Sequence, residues 1–307
     1  MVLIGIQTYI LFFMEVFMSI SEMFYKFCKN IDMRDEGMMA DIYIDVTLCL
    51  NRHFWNSISP VKHRIYAGIK QPISYTGNYM GDVLYFRLPY FYYEKYNRFI
   101  GNGQLGLIDE IKDVLQKEYP DIPLIYDIDG ITMDINQRKN IKLKVIPTFV
   151  NENGSYTYPV ISGSGRWEVT KFILEIEEFN KLDELCNGNL MNLSKMIKVW
   201  SKVMNLNMDE LLIDVLCYNF MLHYEHKSKD YMCYDWISRD FFKYLSEQNP
   251  EQEYWIVPGS LNKVYKKDDF IERAKITYLI ARKACLDGYD LDKNIWQNIY
   301  GRKFVQN

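Results

Sequence analysis

The sequence predicts an α+β protein of two lobes: a mixed sheet with flanking helices, then a helical lobe, with a cleft between them. Three observations carry this. The stretch Tyr75–Pro89 (YTGNYMGDVLYFRLP) reads as a glycine-containing turn feeding a short strand. The runs Ile131–Ile135 and Ile141–Phe149, separated by polar NQRKN, read as an antiparallel pair. From Asn180 onward the apolar residues recur at helical spacing.

A chain of 307 residues suffices for one large or two ordinary domains, each burying its own core. Hydrophobic content of 49% and charged content of 25% are those of a globular protein and argue against extensive disorder. A net charge of −4, from 36 basic and 40 acidic residues, gives no global attraction to nucleic acid. No local basic patch is evident, so a long nucleic acid is not an expected partner. The six cysteines are scattered without the spacing of a disulfide framework, which points to a reducing cytoplasm. Cys217, His223, His226 and Cys233 come nearest to a zinc cluster, but structural zinc sites favour tighter cysteine pairs and ordinary packing is the better reading.

Residues 1–17 are almost wholly apolar, yet shorter than a membrane span and without a basic flank, so no membrane association is expected. Either Met18 is the natural initiator or 1–17 pack as an extra helix; a signal anchor is the third reading. Ser19 or Ser21 then serves as a helix N-cap. Within 37–55, Met39, Ile42, Val46, Cys49 and Leu50 mark an amphipathic helix for one face of the sheet. Val83 to Leu88 follows as a strand ended by Pro89. Gly101-Asn-Gly-Gln104 turns into a helix from Leu105 to Lys117, with Leu107, Ile111, Val114 and Leu115 on its buried side. In the strand from Ile141, alternation places Ile141, Leu143 and Val145 on one face and Lys142, Lys144 and Ile146 on the other. Helices are expected over 189–204, 209–224, 235–248 and 268–286. The expected organisation is an apolar extension over 1–17, a first lobe over 18–165 and a helical lobe over 166–307.

Specific strings carry a resemblance. Tyr96-Asn-Arg-Phe-Ile-Gly-Asn-Gly-Gln104, Lys144-Val-Ile-Pro-Thr-Phe149 with Tyr156-Thr-Tyr-Pro159, and Asn187-Gly-Asn-Leu190 leading to Lys198-Val-Trp200 form one collinear set. Tyr234-Asp-Trp-Ile-Ser-Arg-Asp-Phe-Phe242, Tyr254-Trp-Ile-Val-Pro-Gly-Ser260 and Trp296-Gln-Asn-Ile-Tyr-Gly301 continue it. Over roughly residues 18–304 the chain resembles the bacterial cGAS/DncV-like nucleotidyltransferases (CD-NTases) of the polymerase-β-like superfamily. The resemblance implies a nucleotidyltransferase lobe and a helical lobe, nucleoside triphosphates as partners, and cyclic or short oligonucleotides as messengers in antiphage (CBASS-like) defence.

It also implies a site of defined chemistry. Two Mg²⁺ ions make a 3′-hydroxyl nucleophilic and neutralise the leaving pyrophosphate. Three carboxylates hold them, two as Asp-x-Asp on one strand and a third on its neighbour, while an upstream Gly-Ser loop cradles the phosphates. Here the Asp-x-Asp position reads Met80-Gly81-Asp82, so Asp82 is the one family acid retained and the candidate catalytic and metal-binding residue. The Gly-Ser position falls near Ala67-Gly68-Ile69 without its serine, and the third acid falls on Lys144. An ammonium at a metal-ligand position repels a cation by about 4 kcal/mol per unit charge at an effective dielectric of 20. Gly68, Lys144, Lys195 and Lys198 are the candidate nucleotide-binding residues, Lys144 standing in for a cation and the helix lysines meeting the triphosphate.

Asp127, Asp129 and Asp134 are the acids near enough in sequence to compensate, with Asp129-Gly130 expected in a turn and Asp134 facing solvent. Trp167 and Tyr96 read as core aromatics, and Arg239 with Asp240 as a buried structural pair. The leading expectation is a divergent CD-NTase with a degenerate site that acts by binding nucleotide or a partner, whether effector or homologous subunit. Two alternatives stay open: an active cyclic-oligonucleotide synthase with another ligand set and Mg²⁺, and a non-enzymatic scaffold subunit.

Overall fold

A computed structural model describes residues 19–31, 36–69, 80–137, 141–286 and 293–304. Residues 1–17, Met18 and the part of the predicted turn before Met80 lie outside the described residues. Strands β1 (Arg64–Ile69), β2 (Met80–Arg87), β3 (Leu124–Tyr126), β4 (Ile131–Asn136), β5 (Ile141–Val150), β6 (Tyr156–Val160) and β7 (Arg166–Thr170) form a mixed seven-stranded sheet. Its path is β1-β2-β5-β4-β3, with β6 added to β5 and β7 to β6. β2 and β5 run parallel; the predicted antiparallel pair is β4 with β5, in which Ile131 faces Val145.

One face of the sheet is buried under helices α2 (Glu36–Phe54) and α4 (Gly103–Glu118), which enclose Leu84, Phe86, Leu143 and Val145. Between them in sequence lies the short α3 (Tyr90–Asn97), which follows Pro89. The N-terminus of α4 is fixed from the side. Asn102 accepts from Leu105 N at 2.9 Å and donates to Ile161 O at 2.9 Å and Gly163 O at 3.4 Å. Gly103 is obligatory there, because a Cβ would stand 1.9 Å from Tyr96 O. Replacing Asn102 by Ala removes both the cap and the strap to the β6–β7 loop, and an urea unfolding curve is expected to show a loss of about 2 kcal/mol.

The helical lobe is built from α5 (Phe172–Leu185), α6 (Asn189–Val203), α7 (Glu210–His223), α8 (Tyr234–Ser246), α9 (Ile271–Leu286) and α10 (Lys293–Tyr300), with the hairpin β8 (Tyr254–Ile256) and β9 (Lys263–Tyr265). Two elements cross the expected division at 165/166. β7 pairs with β6, so the sheet continues to Thr170. Helix α1 (Ile20–Ile31) leaves the first lobe and packs into the second. Its start is a capping box, Ser19 Oγ accepting from Glu22 N and Glu22 accepting from Ser19 N. Its apolar stripe, Ile20, Met23, Phe24, Phe27, Cys28 and Ile31, matches an aromatic socket of Trp296, Tyr300 and Phe304, and Phe24 sits 4.9 Å from both the first and the last.

The open face of the sheet meets the helical lobe through a small third core of Val83, Tyr85 and Ile146 with Phe172 and Ile176. Phe172 stacks on Tyr85 at 3.7 Å and 13°. No described helix is long and apolar enough to cross a membrane.

Candidate functional site

In a parallel ladder, paired residues point to the same face and alternate residues to opposite faces. The register of β2 on β5 is Gly81 with Lys142, Asp82 with Leu143, Val83 with Lys144 and Leu84 with Val145. Asp82 is therefore on the face of Leu143, Leu84 and Phe86, under the helices, where it is 5% exposed. Lys144 is on the other face with Val83 and Ile146. The structure does not bring Asp82 and Lys144 together. Any ligand that shared a cation with position 144 would come from 81 or 83, and those positions carry glycine and valine. Met80, at the start of β2, pairs with Ile141.

Gly68 lies within β1, paired with Val83, at φ +152°; it is part of a ladder, and the segment after Ile69 is outside the described residues. The acids that do meet Lys144 come from the β3–β4 turn. Its Nζ is 2.5 Å from Asp129 Oδ1 and 3.0 Å from Asp127 Oδ2. Burial alone would lower the Lys144 pKa, but Asp129 and Asp127 outweigh it and hold the ammonium above its ordinary value. At Asp127 burial works upward, and Lys144 overcomes it to hold the carboxyl below its usual range. Asp134, expected at solvent, is half-buried on the same face and pairs with Lys142 in the ladder; its Oδ1 is buried without a hydrogen-bond partner.

The helix lysines are placed differently from the expectation. Lys198, on α6, is 0% exposed along its side chain, and its Nζ lies 2.7 Å from both carboxylate oxygens of Asp214 on α7. Ser194 Oγ also donates to Asp214. The ammonium that the sequence directs at a phosphate is here consumed inside the helical lobe. Burial, only partly offset by Lys198 and Ser194, pushes the Asp214 carboxyl up to about 7. Lys195 is 5% exposed and lies near Asp183, whose carboxyl is raised by burial against the opposing pull of Met191 N–H and Lys195. Neither lysine lies at the surface.

Tyr96 and Trp167 hold core positions: Tyr96 donates to Glu110, and Trp167 packs 5.0 Å from Tyr93 with its Nε1 donating to Asn97. Arg239 makes two bonds to Asp240, at 2.7 and 2.9 Å, and the pair is half-buried. Cys217 is fully buried among the helices. A cavity of about 730 Å³ opens between α2 and α4, lined among others by Arg52, His53, Lys95 and Glu110; it lies on the helix-covered side and contains none of the candidate residues.

Mg²⁺ is a hard cation that takes carboxylate oxygens in octahedral geometry. The donor set around Lys144 does not fit it. The neighbouring strand supplies no oxygen ligand at 81 or 83, Asp82 faces away, and an ammonium stands between the two acids that converge. Among the described residues no three His, Cys, Asp or Glu side chains converge on a metal position.

The profile of the Second Messenger Oligonucleotide or Dinucleotide Synthetase domain matches residues 18–183. The chain is also similar in fold to solved structures. The structure of Escherichia coli MS115-1 CdnC with ATP is 14% identical with a TM-score of 0.63, over 93% of this chain and 98% of that one. CdnC in complex with HORMA-deltaN is 13% identical with a TM-score of 0.63, over 88% and 92%. The GTP-bound form of Vibrio cholerae DncV is 14% identical with a TM-score of 0.54, over 75% and 64%. No curated protein matches in sequence.

Proposed function

The chain belongs to the Second Messenger Oligonucleotide or Dinucleotide Synthetase family of cGAS/DncV-like nucleotidyltransferases, and we propose that it is a divergent member that does not catalyse two-metal nucleotidyl transfer. It acts instead by binding a nucleoside triphosphate or a protein partner, in the cytoplasm, within bacterial antiphage signalling. The observation that carries this reading is the β2–β5 register, which sets glycine and valine beside Lys144 where metal-bridging carboxylates would have to stand. ATP and GTP in the similar structures, and the HORMA-deltaN complex of CdnC, support a nucleotide and a protein as the two partner classes.

The test is incubation of the protein with labelled ATP, GTP, CTP and UTP in Mg²⁺ and then in Mn²⁺, with products separated by chromatography. No oligonucleotide above the protein-free blank is expected. Product formation that disappears in Asp82→Ala, or in Asp127→Asn/Asp129→Asn, would instead establish an active synthase with a relocated ligand set.

A further inference from the structure

Asp127-Ile128-Asp129 is itself an acid pair with one residue between, carried by the turn ahead of β4. Both carboxylates close on one point, and the Lys144 ammonium occupies that point. We propose that Asp127 and Asp129 form a cation site whose resident cation is the side chain of Lys144, an internal ammonium that takes the place of a metal ion and closes this face of the sheet to divalent cations. The proposal deepens the reading above and rests on it for the position of residue 144.

The turn is also held by bonds other than those to the lysine. Asp127 N donates to Gly130 O at 2.9 Å, Ile128 N to Asp127 Oδ1 at 2.8 Å, and Ile161 N ties Ile128 O down at 2.8 Å. Thr132 Oγ1 reaches Asp127 Oδ2 at 3.4 Å. Gly130 lets the turn lie against β5, since a Cβ there would stand 2.2 Å from Val145 O. The Asp127 carboxylate and the turn that carries Asp129 are thus held by contacts that Lys144 does not make. Asp129 Oδ1 is buried, and the Lys144 ammonium 2.5 Å away is what compensates its charge. A dication could enter only by displacing an ammonium tethered to the neighbouring strand, and like charge at that distance opposes simultaneous occupancy. A phosphate-bearing ligand held at this face is accordingly held without a bridging metal.

The experiment titrates Mn²⁺ alone, with no nucleotide present, and follows free Mn²⁺ by electron paramagnetic resonance. The wild type and Asp127→Asn/Asp129→Asn are expected to bind Mn²⁺ equally weakly, because the acid pair is already occupied. Lys144→Gln is expected to bind at least tenfold more tightly, Lys144→Arg to stay at the wild-type level, and Lys144→Gln/Asp127→Asn/Asp129→Asn to lose the gain. Wild-type binding tighter than that of Asp127→Asn/Asp129→Asn overturns the proposal whether or not the Lys144 variants fold. So does a folded Lys144→Gln with no gain, or a gain that survives removal of the acids. Oligonucleotide synthesis is assayed separately, so failure here is distinguishable from failure of the proposed function.

Discussion

Lys198→Met is expected to destabilise the protein by about 3–5 kcal/mol, because it leaves Asp214 buried without its cation. Lys198 and Asp214 are 0% and 1% exposed along their side chains, so no water reaches the carboxylate when the ammonium is gone. Removing both charges, as in Lys198→Met/Asp214→Leu, should recover most of the loss, since a buried ion pair contributes little beyond an apolar replacement of similar volume. The pH dependence has a definite sign. The Asp214 pKa is raised in the fold to about 7, above an unfolded value near about 3.9. Its contribution to stability is therefore complete below the unfolded value and is lost as pH rises through the folded one. Urea unfolding at about pH 5 and about pH 8 should show the wild type weaker at the higher pH from this group, and the Lys198→Met deficit larger there. A variant with the wild-type midpoint at both values would show that the pair is not the buried unit described.

Phe172→Ala is expected to cost about 3–5 kcal/mol, the range for truncating a fully buried phenylalanine. Phe172 is 1% exposed, stacks on Tyr85 and stands 4.7 Å from Tyr156. It is the first residue of α5 and the main contact between that helix and the open face of the sheet. Its loss leaves a cavity beside Val83, next to Lys144 in the ladder, so the near-ultraviolet circular dichroism of the tyrosines should change along with the unfolding midpoint. Phe172→Leu, which keeps most of the volume, should retain more than half of the lost stability. A cost below about 1 kcal/mol would mean that the third core does not tie the lobes together.

Much of the fold was legible because the signals were periodic. The helix over 36–54 shows its stripe of Met39, Val46 and Leu50, and β5 shows its alternation in Ile141, Leu143 and Val145 against Lys142 and Lys144. β2 gave no such pattern. Val83, Leu84, Tyr85 and Phe86 are apolar on both faces because the strand is covered on both, so the sequence could not say which way Asp82 points. A displacement of one residue moves a side chain to the opposite face, and in this ladder Asp82 stands opposite Leu143 while Lys144 stands opposite Val83. The buried setting of Lys198 was not legible for a related reason. A lysine at helical spacing reads as a solvated or ligand-facing charge, and its buried partner, Asp214, lies on another helix, 16 residues away. Asp127 and Asp129 were visible as acids near Lys144 in sequence, but their convergence depends on Gly130 packing against Val145, which no local pattern announces.

The central claim is that on this sheet face an ammonium stands between two acids in place of a metal ion, and one measurement addresses it directly: anomalous scattering from a crystal soaked with ATP and Mn²⁺. The expected map shows Lys144 Nζ still between Asp127 and Asp129 and no manganese peak at the β2–β5 face. A manganese peak within about 2.2 Å of a carboxylate oxygen of Asp82, Asp127 or Asp129, bridging to a phosphate of the nucleotide, would contradict it.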